Sequence, residues 1–173
     1  MTRQLDRIEI TIMVSFCDRT ARAMPRARLG AVLGIEADRI DEVERKLKRL
    51  KYITANIEQD RKTVSDYLYE HARRDVPPSC AMKLVRGVPT GYGAPIAKRE
   101  FAVSGRVPVW PCEMGVSKSK GVVGYGLDPV CPGSCRLPAC MPPLYELFAL
   151  VDMFRIGRVR EREFARRTFA DLP

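Results

Sequence analysis

The sequence is short of amides and of histidine: one asparagine (Asn56), two glutamines (Gln4 and Gln59) and one histidine, His71. Few amides beside 29% charged residues is the balance expected of a thermophile protein. The single histidine lies in the charged stretch Glu70-His71-Ala72-Arg73-Arg74 and is expected at the surface, so histidine general-base chemistry has one poor candidate. No run approaches the roughly eighteen apolar residues that span a bilayer. The charged start Met1-Thr2-Arg3-Gln4-Leu5-Asp6-Arg7 is not that of a signal peptide, and the expectation is a soluble cytoplasmic protein. Nucleotide-binding signatures are missing too. Gly121-Val122-Val123-Gly124-Tyr125-Gly126 fits neither a dinucleotide fingerprint nor a phosphate loop and reads as a glycine-kinked strand or turn. Paired carboxylates (Asp41-Glu42, Glu161/Glu163) sit among arginines and lysines and read as solvated ion pairs. The chain therefore reads as a non-enzyme.

Proline is nearly absent from the first 76 residues, which hold only Pro25, whereas eleven of the thirteen prolines lie between Pro77 and Pro143. That break divides the chain into residues 1–76 and 77–173, joined at Val76-Pro77-Pro78-Ser79. In the first unit Leu5, Ile8, Ile12 and Phe16 mark one helix. Pro25 and Gly34 bracket a second, and Ile40, Val43, Leu47 and Leu50 mark a third that starts at Ala37 or Asp38. Tyr52-Ile53-Thr54-Ala55-Asn56-Ile57 has strand character, Gln59-Asp60-Arg61-Lys62 suits a turn, and Thr63–Tyr69 fits a returning strand or a helix. Three helices and a hairpin are the winged-helix order, with a three-helix bundle plus an unrelated hairpin as the alternative. In the second unit, residues 80–127 read as short extended segments such as Phe101-Ala102-Val103 and Val107-Pro108-Val109-Trp110. A cysteine-rich loop spans 128–143, and an amphipathic helix from Pro143 continues or restarts after Gly157. The expected class is α+β: a winged helix-turn-helix domain followed by a small cysteine-rich domain ending in a helix.

Four of the six cysteines lie close in sequence, Cys112, Cys131, Cys135 and Cys140, with Pro111, Pro132, Pro138 and Pro142 beside them. Thiolates are soft ligands, so four of them suit zinc or an iron–sulfur cluster. Zinc ribbons present paired Cys-x2-Cys knuckles, and none occurs here. Three close thiolates and one distant one, with a Cys131-Pro132 pairing common at such sites, favour a [4Fe-4S] cluster over zinc. Disulfides are the remaining option, open to a thermophile protein even inside a cell. Cys17 reads as a small buried residue, and Cys80 as the one substitute ligand.

Charge points to partners. The formal balance is +9, and six arginines fall within 155–167 (Arg155, Arg158, Arg160, Arg162, Arg166, Arg167). Such a balance suits nucleic acid or an acidic protein surface. The third helix opens with Asp38, Asp41, Glu42 and Glu44, and its cations Arg45, Lys46, Lys48, Arg49 and Lys51 come later. Carboxylates at the reading end of such a helix repel phosphates, which favours docking on protein through Glu42, Arg45 and Arg49. Arg61 and Lys62 at the expected wing tip, with Lys118 and Lys120, are candidates for weak, non-specific DNA contact.

The segments "RLGAVLGI…EVERKLKRLKYI" and "CPGSCRLPACMPPLYELF" resemble the beta subunit of the archaeal general transcription factor E, related to the winged-helix small subunit of RNA polymerase III. The resemblance implies a non-enzymatic subunit that pairs with an alpha subunit, docks on RNA polymerase and aids promoter opening. It implies Cys112, Cys131, Cys135 and Cys140 as ligands of a structural cluster. The alternative is a winged-helix DNA-binding regulator with a zinc or redox-sensing cysteine module. An iron–sulfur electron-transfer component is a third possibility.

Overall fold

Helix 1 opens on a reciprocal cap: the Asp6 carboxylate accepts from the Glu9 amide at 2.8 Å, and the Glu9 carboxylate accepts from the Asp6 amide at 3.1 Å. The computed structural model describes residues 4–113 and 121–173. From that cap α1 (Arg7–Ser15) runs with every residue from Glu9 to Ser15 buried, so it forms the centre of the helical half. Asp18 caps the short α2 (Arg19–Ala23), and Pro25 precedes α3 (Arg26–Leu33). Gly34, at φ 73°, ends α3 in the left-handed region that glycine enters without strain. α4 (Ala37–Arg49) follows and buries Ile40, Val43 and Leu47 at helical spacing.

The expected wing is not formed. Residues 52–56 contain no strand, and 57–75 are one continuous helix, α5 (Ile57–Asp75). Local capping decides this. Asn56 accepts from the amides of Glu58 and Gln59 at 3.0 and 3.1 Å, opening the helix where a strand was expected to end. The buried Asp60 then takes Thr54 N at 2.9 Å, Thr54 Oγ1 at 2.6 Å and Arg22 Nη2 at 2.5 Å, which folds the preceding turn back on it. Val64, Leu68 and Ala72, four apart, form the buried stripe of α5. With the wing lost, Arg61 is not a tip residue. It is buried, donating to Cys17 O at 2.8 Å, to Leu172 O, and to Pro173 O at 2.7 Å.

Beyond Val76 come β1 (Cys80–Pro89), β2 (Pro108–Pro111) and β3 (Val122–Leu127). β1 pairs antiparallel with both other strands, and β2 runs parallel to β3, closing a small barrel. Glycine permits the closure. A Cβ at Gly87 would overlap the Trp110 carbonyl, and one at Gly124 would overlap that of Val107. The strand reading of 121–126 thus holds for β3, while Phe101–Val103 is not a strand; Phe101 instead packs edge-on against Phe164, centroids 5.2 Å apart.

After a 3-10 turn at Ser134–Arg136 and the short α6 (Leu137–Cys140), α7 (Pro142–Ile156) is buried almost throughout, and α8 (Val159–Asp171) packs on α5 and α7. Buried side chains from both sides of Val76 form one packed cluster, from Leu5 to Phe169. A polar hub crosses it. Arg155 of α7 donates to Asp152 at 2.7 Å, to the Asp128 carboxylate at 2.9 Å and to the carbonyls of Val76 and Asp128 at 2.8 Å each. Asp152 also accepts from Thr90 Oγ1 and Trp110 Nε1, both at 2.6 Å, so the hub joins α7 to the barrel. No helix among the described residues is long and apolar enough to cross a membrane.

Candidate nucleic-acid interface

Two helices joined by a tight turn carry a group of exposed cations without carboxylate partners among the described residues. α3 ends at Gly34, only Ile35 and Glu36 intervene, and α4 begins at Ala37. Gly30 is needed for the approach: a Cβ there would collide with the Ile35 carbonyl. Between Arg26 and Lys51 the chain has eight Lys and Arg against five Asp and Glu.

The carboxylates of α4 are largely answered within the molecule. Glu44 pairs with Arg26 and Lys48, both at 2.7 Å, Asp41 with Arg26 at 3.4 Å, and Glu42 with Arg39 at 2.8 Å. Burial works against the Glu44 charge, yet hydrogen bonds from Lys48 and Arg26 hold its carboxyl below the usual range. Arg39 does the same for Glu42. Lys46 turns inward to Glu9. What remains is Arg28 on α3, with Arg45, Arg49 and Lys51 on or just beyond α4. All four are exposed, and none has a carboxylate partner among the described residues. Arg45 and Arg49 are one helical turn apart, so both guanidinium groups project from one face. Lys51 sits at φ 60° in the turn that follows.

The arginine-rich tail is a weaker candidate, because most of its charges are used internally, Arg158 and Arg167 being the exposed exceptions. Arg162 and Arg166 lie over the Tyr69 ring at 4.4 and 5.0 Å, Arg166 pairs with Asp66 at 2.8 Å, and Arg160 lies over Phe101 at 5.5 Å. Arg155 belongs to the buried hub. Of the other contact candidates, Glu42, Arg45 and Arg49 share the exposed side of α4, Lys62 is exposed on α5, and Lys118 and Lys120 lie outside the described residues. His71 is half-buried rather than at the surface, edge-on to Tyr67 at 4.9 Å.

The cysteines do not form a metal centre, which corrects the expected [4Fe-4S] cluster and its zinc alternative alike. Cys112 and Cys135 are joined in a disulfide, Cα atoms 5.9 Å apart. Cys131 is buried, with Sγ 3.6 Å from Leu33 O, and Cys140 is exposed at the end of α6. Among the described residues no three His, Cys, Asp or Glu side chains are grouped to hold a metal ion. The 3-10 turn and α6 rotate successive cysteines in different directions: inward, toward β2, and outward. Burial pushes the Cys131 thiol up to about 12, and likewise Cys17, so both are held as inert thiols.

The loop bearing Cys131 also touches the α3–α4 turn. Gly133 N donates to Leu33 O, the last carbonyl of α3, at 2.8 Å, and Pro132 packs against Gly34. A Cβ at Gly133 would overlap Val32 O, so only glycine allows this approach. No sequence signal marked that contact, since it joins residues about a hundred positions apart. No family model, curated protein or solved structure matches this chain.

Proposed function

We propose that the protein is a non-enzymatic helix-turn-helix protein that binds duplex DNA through the phosphate backbone, using the C-terminal half of α4. The observation that carries this reading is the division of charge on α4. Its carboxylates Asp41, Glu42 and Glu44 are paired with cations, and Arg45 and Arg49 are left exposed beside Arg28 and Lys51. Paired carboxylates repel phosphates far less than the bare sequence implies, which moves the balance from protein docking toward DNA. Asp38 at the N-terminal end of α4, without a cation partner among the described residues, disfavours base reading there, so the expected binding is backbone-led with weak sequence preference.

The test is fluorescence anisotropy with a random-sequence duplex across a salt series. The wild type should bind at low salt, and Arg45→Ala/Arg49→Ala should flatten the salt dependence by about two units of log–log slope. Absence of binding at low salt, or an unchanged slope in the double variant, would refute it.

A second reading keeps the role that the likeness to the transcription factor E beta subunit implies, docking on RNA polymerase beside an alpha subunit. It is favoured by Glu36 and Asp38, exposed at the start of α4 with no cation partner among the described residues. Charge reversal at Asp38 and Glu42 should then weaken capture by purified archaeal polymerase and leave duplex binding intact or stronger.

A further inference from the structure

The turn between α3 and α4 is held from outside by a loop that a disulfide fastens. Leu33 O, the last carbonyl of α3, receives Gly133 N at 2.8 Å and lies 3.6 Å from Cys131 Sγ. Pro132 covers Gly34, the left-handed residue that sets the turn. On its N-terminal side this loop is tied to α1: Thr11 Oγ1 donates to Val130 O at 3.0 Å and Arg7 Nη1 to Pro129 O at 2.6 Å. On its C-terminal side the first covalent tie after Gly133 is Cys135, bonded to Cys112 at the end of β2. The brace on the turn is therefore strung between α1 and a cystine. Cys112 and Cys135 are each only half-buried, whereas Cys17 and Cys131 are buried. A small reductant reaches the pair without unpacking the core.

We infer that the Cys112–Cys135 disulfide is a reducible site that sets the rigidity of the α3–α4 turn, and through it the affinity of α4 for DNA; the second half of this statement rests on the function proposed above. The reaction is two-electron thiol–disulfide exchange with a dithiol. One dithiol sulfur, as thiolate, attacks a cystine sulfur and forms a mixed disulfide. The second dithiol sulfur then displaces the remaining cysteine. The dithiol leaves as a cyclic disulfide, and its two protons end on Cys112 and Cys135. With the bond opened, residues 131–136 lose their tether to β2, and the Gly133 hydrogen bond to α3 opens more often. A turn that spends less time in the binding geometry lowers apparent affinity in proportion to that lost population.

The experiment uses the full chain with Cys80 and Cys140 replaced by serine, oxidised and then reduced with dithiothreitol, and the Cys112→Ser/Cys135→Ser variant as a permanently open form. Hydrogen exchange followed by mass spectrometry reads the segments around 30–37 and 130–136. Anisotropy with a random-sequence duplex at fixed low salt reads affinity. Opening the bond should raise exchange in both segments at least about tenfold and leave α5 and α8 unchanged, and should lower duplex affinity about twofold or more as the closed fraction of the turn falls toward one half. Unchanged exchange at 30–37 would overturn the coupling. So would exchange that rises equally throughout the molecule, since that is global loosening. Raised local exchange with no duplex binding in either state would uphold the brace and reject the DNA reading instead. Raised local exchange with equal affinity in both states would reject control of binding.

Discussion

Arg155→Met removes the guanidinium at the centre of the buried hub and keeps most of the apolar stem. Arg155 makes four hydrogen bonds of 2.9 Å or less, two of them to the carboxylates of Asp152 and Asp128. After substitution Asp128 still holds Arg7 and the Ser79 amide. Asp152 is fully enclosed and keeps only the neutral donors Thr90 and Trp110. Breaking a buried pair from one side costs about 3–5 kcal/mol, against a total stability of roughly 5–15 kcal/mol for an ordinary domain. Burial already holds the Asp152 carboxyl above its usual range despite Arg155, and losing the cation moves it further up. A carboxyl raised in the folded state keeps its proton to higher pH than the unfolded chain does. Stability then falls as pH rises from the ordinary carboxylate value through the raised one, and is flat above it. The penalty of Arg155→Met should accordingly be largest near neutrality and shrink as the pH is lowered. Asp152→Asn/Arg155→Met retains a carbonyl acceptor for Thr90 and Trp110 and leaves no buried charge, so it should recover at least about 1 kcal/mol over the single variant. Urea unfolding followed by far-ultraviolet circular dichroism at two pH values measures all three. A loss below about 1 kcal/mol for the single variant, or a double variant no better than the single, would refute the reasoning.

Two further outcomes follow from the same contacts. Gly124→Ala places a methyl against the Val107 carbonyl where β2 and β3 meet, and should cost about 1–3 kcal/mol in the same urea assay by forcing the barrel apart. Asp128 is raised by burial but lowered more by Arg7, the Ser79 amide and Arg155, leaving it below the usual carboxylate range. Its contribution is present above that range and lost as pH falls through the folded value, so Asp128→Asn should flatten the acid limb of a stability-against-pH curve; an unaltered limb would assign acid sensitivity to other carboxylates.

The helical start was legible in the sequence because its signals are local. Pro25 and Gly34 bracket α3, and Ile40, Val43 and Leu47 line α4, with no help needed from the rest of the chain. The start of α5 was misread for a reason that is also local, whereas 63–69, open between strand and helix, proves helical. Tyr52–Ile57 is rich in strand-forming side chains, but Asn56 and Asp60 are placed to cap and to close a turn. Two specific hydrogen-bond acceptors outweigh a propensity of under a kcal/mol per residue.

The cysteines and the charges show where such signals end. Spacing along the chain says how near two thiols can come but not which way each points, and it is a one-turn 3-10 segment that sends Cys135 toward Cys112 and Cys140 to the surface. The carboxylates of α4 looked like a barrier to phosphate although Glu42 and Glu44 have local partners in Arg39 and Lys48; the distant one, Arg26, eighteen residues before Glu44, had no sequence signal. Asp152 and Arg155 had a local signal that went unread. They stand three apart in the largely apolar stretch Leu144–Ile156, and opposite charges so placed require a paired, buried arrangement. Exposed charge is what a partner meets. The tail arginines around Tyr69 are largely committed internally, whereas Arg28, Arg45, Arg49 and Lys51 are exposed on or beside the two helices whose connecting turn the cystine-tethered loop contacts.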